Sequence, residues 1–179
     1  MIKSPGNDAG IVKGKQTMSD TPPTVVENTD DAVVAHRGVL IVDDNEQNLE
    51  LLHAYLDDLG GPVRVVNDGI KAIDSVKNDP PDIILLDIMM PRMSGYQVCQ
   101  QLKKSPETKD IPIIMVTALS EVGDVERAID VGADDFLTKP VNKLELLTRV
   151  RSLLRVRQLK RNLDDAVAEV RALRDQAGE

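Results

Sequence analysis

The sequence predicts an α/β protein in which a five-stranded parallel sheet, ordered 2-1-3-4-5, is doubly wound by helices. Two observations predict this fold. Short apolar runs, typical of strands buried on both faces, alternate with stretches whose apolar residues have helical spacing. Most of the runs also end in a reactive polar residue, as expected where parallel strands share a ligand-binding edge. In chain order the predicted strands are VLIV, VRVV, IILL, IIMV and FLT.

Helix boundaries follow from capping and breaking residues between these runs. Asn, Asp and Ser accept hydrogen bonds from the first free N–H groups of a helix, whereas Gly and Pro end helices. The breakers are Gly60-Gly61-Pro62, Asp79-Pro80-Pro81 and Gly132. The five helices are therefore predicted to start at Asn45, at Asn67 or Asp68, at Ser94, near Val122 and near Asn142.

Composition limits the class of protein. The chain has 179 residues, one cysteine and a formal net charge of −8, which excludes an internal disulfide and argues against general nucleic-acid binding. No apolar stretch approaches the length of a membrane span, and we expect a cytoplasmic protein. Residues 1–37 are rich in Gly, Pro, Asp and Thr, and we expect a disordered N-terminal tail.

Five polar residues follow four of the predicted strands and should meet at one edge of the sheet. They are Asp43, Asp44, Asp87, Thr117 and Lys139. Clustered carboxylates supply the hard oxygen ligands that Mg²⁺ prefers, and the absence of Cys and His from this set argues against zinc. A carboxylate, a lysine, a threonine and Mg²⁺ together suit phosphoryl transfer, with Asp87 as the acceptor because it stands alone at its strand end.

These motifs, together with MMPRMSG after Asp87, Thr117-Ala118 and Lys139-Pro140, make residues 38–154 resemble the receiver domain of two-component response regulators, which has a flavodoxin-like fold. The receivers of regulators with diguanylate cyclase outputs are especially similar. The resemblance implies a phosphoryl donor, either a sensor histidine kinase or a histidine phosphotransfer protein. The family usually has Asp where Ser94 stands, and we expect only altered loop capping there.

The resemblance also implies a role for each site residue. Asp44, Asp87 and the backbone carbonyl of Met89 would bind Mg²⁺ directly, and Asp43 would act through a metal-bound water. Thr117, Ala118 and Lys139 would hold the phosphoryl oxygens. Thr117 and Phe136 would form the conformational switch, and the bond before Pro140 would be cis.

The last predicted helix contains neither Gly nor Pro until Gly178, so it should continue well past the sheet. We expect Leu144, Leu147, Val150 and Leu154 to pack on the domain. Residues 155–179 are predicted to form a helical extension and a parallel two-stranded coiled coil, because apolar residues recur at steps of three and four. This seam comprises Val156, Leu159, Leu163, Ala166, Val170, Leu173 and Ala177.

Several alternatives remain open at this stage. The helix could fold back on its own domain instead of forming a homodimer. The chain could be a receiver cut from a larger regulator, such as a diguanylate cyclase, or a dimerisation module that never accepts phosphate. An enzyme of the haloacid-dehalogenase type also uses an Asp nucleophile and Mg²⁺, but it needs a second acid where this chain has Met89. We therefore favour a phosphoaccepting signalling protein that is not itself an enzyme.

Overall fold

The computed structural model describes residues 38–118 and 122–177, and the side chains of 122–125 and 177 are outside this description. The predicted disordered tail, residues 1–37, therefore lies outside the described residues. All the described strands pair in parallel, in the predicted order 2-1-3-4-5. They are β1 Val39–Val42, β2 Val63–Val66, β3 Ile83–Asp87, β4 Ile113–Thr117 and β5 Asp135–Thr138.

The helices begin where the sequence supplies caps. The Asn45 side chain accepts from the N–H groups of residues 47 and 48, and Asp68 accepts from those of residues 70 and 71. Ser94 forms a capping box with Gln97. The helices are α1 Glu46–Leu56, α2 Gly69–Asn78, α3 Gly95–Lys104, α4 Val122–Asp130 and α5 Lys143–Ala177, with a short 3-10 turn at Asp57–Leu59 after α1.

Alternate residues of each central strand face opposite sides of the sheet, which creates two hydrophobic cores. In β3, Ile84 and Leu86 pack with residues of α2, α3 and α4. Ile83 and Leu85 pack with residues of α1 and α5. Helices therefore cover both faces, and the two ends of the strands remain available for polar groups.

Helix α5 has 35 residues and is about 52 Å long at about 1.5 Å per residue. Leu147, Val150 and Leu154 are buried against the domain as predicted. Leu144 is 74% exposed, so its predicted packing is wrong, and Leu146 is buried instead. The two residues lie about 160° apart around the helix, so only one of them can face the sheet. No described helix is long and apolar enough to cross a membrane.

Candidate functional site

The parallel register brings three of the predicted site residues into contact at the carboxyl edge of the sheet. Val42 of β1 is the register partner of Leu86 in β3, so the residues that follow them, Asp43 and Asp87, are neighbours. The Lys139 Nζ, which follows β5, lies 2.7 Å from Asp43 Oδ2 and 2.6 Å from Asp87 Oδ1. One ammonium group thus contacts two carboxylates.

The two carboxyl groups are buried, and burial shifts the pKa values at this site. The side chains of Asp43 and Asp87 are 1% and 4% exposed. Burial raises the pKa of Asp87, and the nearby Asp43 raises it further, whereas Lys139 opposes the shift. Burial lowers the pKa of Lys139, but its hydrogen bonds to the two carboxylates outweigh this effect and the net direction is upward. Lys139 therefore stays protonated, and one ammonium group faces two buried carboxyl groups.

Asn48 is a site residue that the sequence analysis missed. Its Nδ2 donates to both carboxylate oxygens of Asp43, at 3.1 and 3.0 Å, and the Asn45 N–H donates to Oδ1 at 2.9 Å. These contacts fix the plane of the Asp43 carboxylate. Asn48 could have been recognised as a site residue from its position in the first turn of α1, on the side of the helix that faces the strand ends.

Thr117 ends β4 beside the acidic pair. Its predecessor Val116 is the register partner of Asp87, and its own carbonyl accepts from the Lys139 N–H at 2.7 Å. Thr117 is 4% exposed, whereas Ala118 is exposed. The sheet thus places the Thr117 hydroxyl at the same edge as Asp87 and Lys139.

The metal-binding set predicted from the sequence is only partly assembled. Asp44 is exposed beside the buried Asp43, and the Met89 backbone forms a hydrogen bond with Asp87. Among residues 38–118 and 122–177, no three Asp, Glu, His or Cys groups are arranged to hold a metal ion. The donor types nevertheless fit Mg²⁺, because all are oxygens and the buried acids outnumber the single ammonium.

The remaining predicted residues lie close by in the chain. Phe136 is half-buried and packs against the core formed with α2, α3 and α4. It is the register partner of Met115 in β4, so it lies in β5 beside the strand that ends in Thr117 and three residues before Lys139. The peptide bond between Lys139 and Pro140 is cis.

The loop from β3 to α3 is held tightly around the Asp87 backbone. A Cβ atom on Gly95 would lie 2.1 Å from the Asp87 carbonyl oxygen, so glycine is required at this position. Arg92 has a φ of 67° and forms an ion pair with the buried Asp68, which caps α2. These contacts tie the loop that carries Met89 to α2 and α3. Ser94, the departure noted from the family pattern, serves as a complete helix cap.

Sequence comparison identifies the family to which this geometry corresponds. The family profile of the response regulator receiver domain matches residues 39–151. This chain belongs to that family. The chain is 47% identical over 117 residues to the response regulator PleD of Caulobacter vibrioides, a match that covers 65% of this chain and 26% of PleD. It is 43% identical to the DNA-binding dual master transcriptional regulator RpaA of Synechocystis, over 65% of this chain and 48% of RpaA.

Solved structures agree with this assignment. The receiver domain of the sensor histidine kinase PA1611 of Pseudomonas aeruginosa PAO1 is 32% identical, with a TM-score of 0.62 over 67% of this chain and 98% of that one. In that receiver a magnesium ion is coordinated in the active-site cleft. This chain spans about a quarter of PleD and about half of RpaA, so the similarity concerns their receiver portions.

Proposed function

We propose that Asp87 accepts a phosphoryl group from the phosphohistidine of a sensor histidine kinase or of a histidine phosphotransfer protein. The observation that supports this most directly is the sharing of Lys139 Nζ between two buried carboxylates, Asp43 and Asp87. A structural ion pair needs only one carboxylate, whereas a phosphoryl-transfer site needs a nucleophile and a cation that can follow the transferred oxygens.

In the proposed reaction, an Asp87 carboxylate oxygen attacks the phosphorus atom. The new P–O bond forms as the P–N bond of the donor breaks, and the imidazole leaves with the electron pair and takes up a proton. The products are an acyl phosphate on Asp87 and a neutral histidine. Lys139 lies 2.6 Å from Asp87 and is positioned to neutralise the phosphoryl oxygens.

Asp44, Asp87 and the Met89 carbonyl would hold Mg²⁺, with Asp43 acting through a bound water. When bound, the ion would neutralise the phosphoryl oxygens and the surplus charge of the acidic cluster. Asn48 would keep the Asp43 carboxylate oriented, since it donates to both of its oxygens. Lys139 would keep its contact with Asp87 throughout.

The proposed switch starts at Thr117. Its hydroxyl would donate to a phosphoryl oxygen together with the Ala118 N–H, which would draw the end of β4 toward Asp87. Phe136 packs beside β4 and would turn further inward as that space opens. Beryllofluoride, an acyl-phosphate mimic, should then shift the amide resonances of Ala118 and Phe136, and unchanged resonances at saturation would refute the switch.

The acceptor is tested by mass spectrometry after incubation with acetyl phosphate. We expect one phosphoryl adduct in the parent with Mg²⁺ and none in EDTA or in Asp87→Asn. Asp74→Asn, at an exposed position of α2, is the matched control and should be labelled like the parent. An adduct of equal yield in Asp87→Asn would refute Asp87 as the acceptor.

The proposed output is homodimerisation through the part of α5 that extends beyond the domain. The seam residues Val156, Leu159, Leu163, Val170 and Leu173 are between 58% and 65% exposed. A continuous apolar stripe that stays exposed to water does not stabilise a monomer, whereas a second helix would bury it. Ala166 at the centre of the seam makes the pairing weak, so a modest bias from phosphorylation could shift it.

The dimer is tested by analytical ultracentrifugation of the Leu159→Asp/Leu173→Asp double variant. It should be a folded monomer that still accepts phosphate at Asp87. If the variant dimerises as strongly as the parent, the seam is not the interface.

Other functions receive less support. Most basic residues of α5 from Lys143 to Arg161 form ion pairs within the chain, which leaves little cationic surface for nucleic acid. A larger regulator that uses α5 as its linker remains the main alternative, because PleD and RpaA are both longer than this chain. We propose a cytoplasmic location, where a phosphorylated histidine donor would be accessible.

A further inference from the structure

Helix α5 has two functional sides that point in different directions. One side faces the receiver domain, and its residues are buried or half-buried. The other side carries the exposed start of the seam, Val156, Leu159 and Leu163. At about 100° per residue, the centres of the two sides are about 150° apart around the helix. The residues facing the domain include Leu146, Leu147, Val150, Leu154, Arg157 and Arg161.

Polar contacts continue the domain-facing side beyond the last buried leucine. Arg157 Nη1 donates to the backbone carbonyl of Asp110 at 2.9 Å, and Lys160 forms an ion pair with the Asp110 carboxylate. Arg161 forms an ion pair with Asp82, whose side chain is 2% exposed. Asp82 and Asp110 precede β3 and β4, so these contacts hold α5 at the amino edge of the sheet, two turns beyond Leu154.

On the side of α5 that carries the seam, the residues change from polar to apolar at the same point along the helix. Positions that continue the seam upstream are Glu145, Arg149 and Ser152, and Arg149 is occupied by ion pairs with Glu145 and Asp135. From Val156 to Leu173 the corresponding positions are apolar and exposed. Two copies could therefore pair from Val156 while each α5 remains packed on its own domain.

One charge contact opposes such pairing. In a parallel coil with Val156 at position a, Arg155 at position g faces Lys160 of the partner subunit at position e. Two such contacts of like charge would occur in each dimer. The distal pair is favourable, because Glu169 would face Arg174 of the partner subunit. The repulsion is thus confined to the heptad next to the domain.

We propose that Asp110 allows two copies of this chain to pair in parallel from Val156 onward, because it neutralises Lys160 within each subunit. This inference rests on the proposed dimerisation through α5. The ion pair lowers the pKa of Asp110, mainly through its hydrogen bond to Lys160, so Asp110 stays ionised at neutral pH. The partner's Arg155 would then meet a neutral pair instead of a bare ammonium group.

Asp110→Asn in the full chain tests this inference by sedimentation equilibrium. General electrostatics and the proposal predict opposite results, because removal of an acid from a chain of net charge −8 should reduce repulsion between copies. We expect Asp110→Asn to raise the dimer Kd about fivefold at low salt, since two like-charge contacts are restored. At about 1 M salt, where the Debye length is about 3 Å, the difference should largely disappear.

Two further variants complete the design. Asp74→Asn makes the same charge change on α2 and should leave the dimer Kd unchanged or slightly lower. Asp110→Asn/Lys160→Gln removes both members of the pair and should restore the Kd of the parent. Phosphorylation of Asp87 reports correct folding in each case, because Asp110 lies at the opposite edge of the sheet.

The outcomes separate this inference from the proposal on which it rests. If Asp110→Asn dimerises like the parent while Leu159→Asp/Leu173→Asp is monomeric, the seam stands and the role of Asp110 is refuted. Equal weakening by Asp74→Asn would also refute it. A parent that is monomeric at every concentration would refute the dimer and this inference together.

Discussion

The two edges of the same sheet use charged residues in different ways. At the carboxyl edge, the buried acids Asp43 and Asp87 share one cation, Lys139. At the amino edge, the acids Asp82 and Asp110 are each matched by a cation of α5. Two acids against one ammonium group suit the first edge to the cation and phosphoryl binding proposed above, whereas matched charge lets the second edge fix the direction of a helix.

The strongest test of this contrast is Lys139→Met. Because Lys139 is the cation that both buried carboxylates contact, its loss should slow phosphorylation of Asp87 by about 100-fold or more. Phosphorylation rates with acetyl phosphate at saturating Mg²⁺ would measure the effect. Lys143→Met, which removes an exposed ion pair with Asp58, is the control and should react at the parental rate. Equal rates in both variants would show that Lys139 is only structural.

A second test concerns the backbone that supports the carboxyl edge. Gly95→Ala should lower the free energy of unfolding by about 3 kcal/mol, because its Cβ would clash with the Asp87 carbonyl oxygen. Gly132→Ala is the comparator. The atoms nearest to its Cβ would be those of the flexible Lys103 side chain, although the φ of 89° is unfavourable for alanine, and we expect a cost of about 1 kcal/mol. Urea unfolding distinguishes the two, and equal costs would show that α3 can shift away from β3 freely.

A third test addresses the amino edge. Arg161→Met should lower the free energy of unfolding by about 1–3 kcal/mol, because it removes the cation that faces the buried Asp82 carboxylate. Arg171→Met, at an exposed position further along α5, should change it little. Urea unfolding of both variants provides the measurement. The phosphorylation rate should be unchanged in each, and a large loss of rate in Arg161→Met would contradict the separation of the two edges.

The smallest expected effect is that of Asp110→Asn on the stability of the subunit. The pair is partly exposed, so at pH 7 the loss should be about 0.5 kcal/mol. Because Lys160 lowers the pKa of Asp110, the stabilisation is present above the ordinary value of 3.8 and is lost as the pH falls through the lowered pKa. The difference between parent and variant should therefore shrink in acid. A difference that grows as the pH falls would contradict the ion-pair assignment.

The strand order, the helix caps and the residues of the carboxyl edge could be predicted from the sequence. Each depends on a local pattern, such as the apolar run before Asp87 or the position of Asp68 just before a helical stretch. Parallel pairing then places successive strand ends at one edge without knowledge of individual contacts. The exposed seam of α5 was predictable for the same reason, since heptad spacing is a local property.

The tertiary structure decided which groups meet across long separations in the chain. Asn48 orients Asp43, Leu146 replaces Leu144 at the domain surface, and Asp110 pairs with Lys160, which lies 50 residues away. No periodic pattern in the sequence indicates these contacts, because each depends on how a helix is rotated and on how far a single side chain reaches. The sequence by itself determined the chemistry available at the carboxyl edge. Only packing determined how α5 is anchored, because ion pairs between distant elements depend on the geometry that the sheet and its helices adopt together.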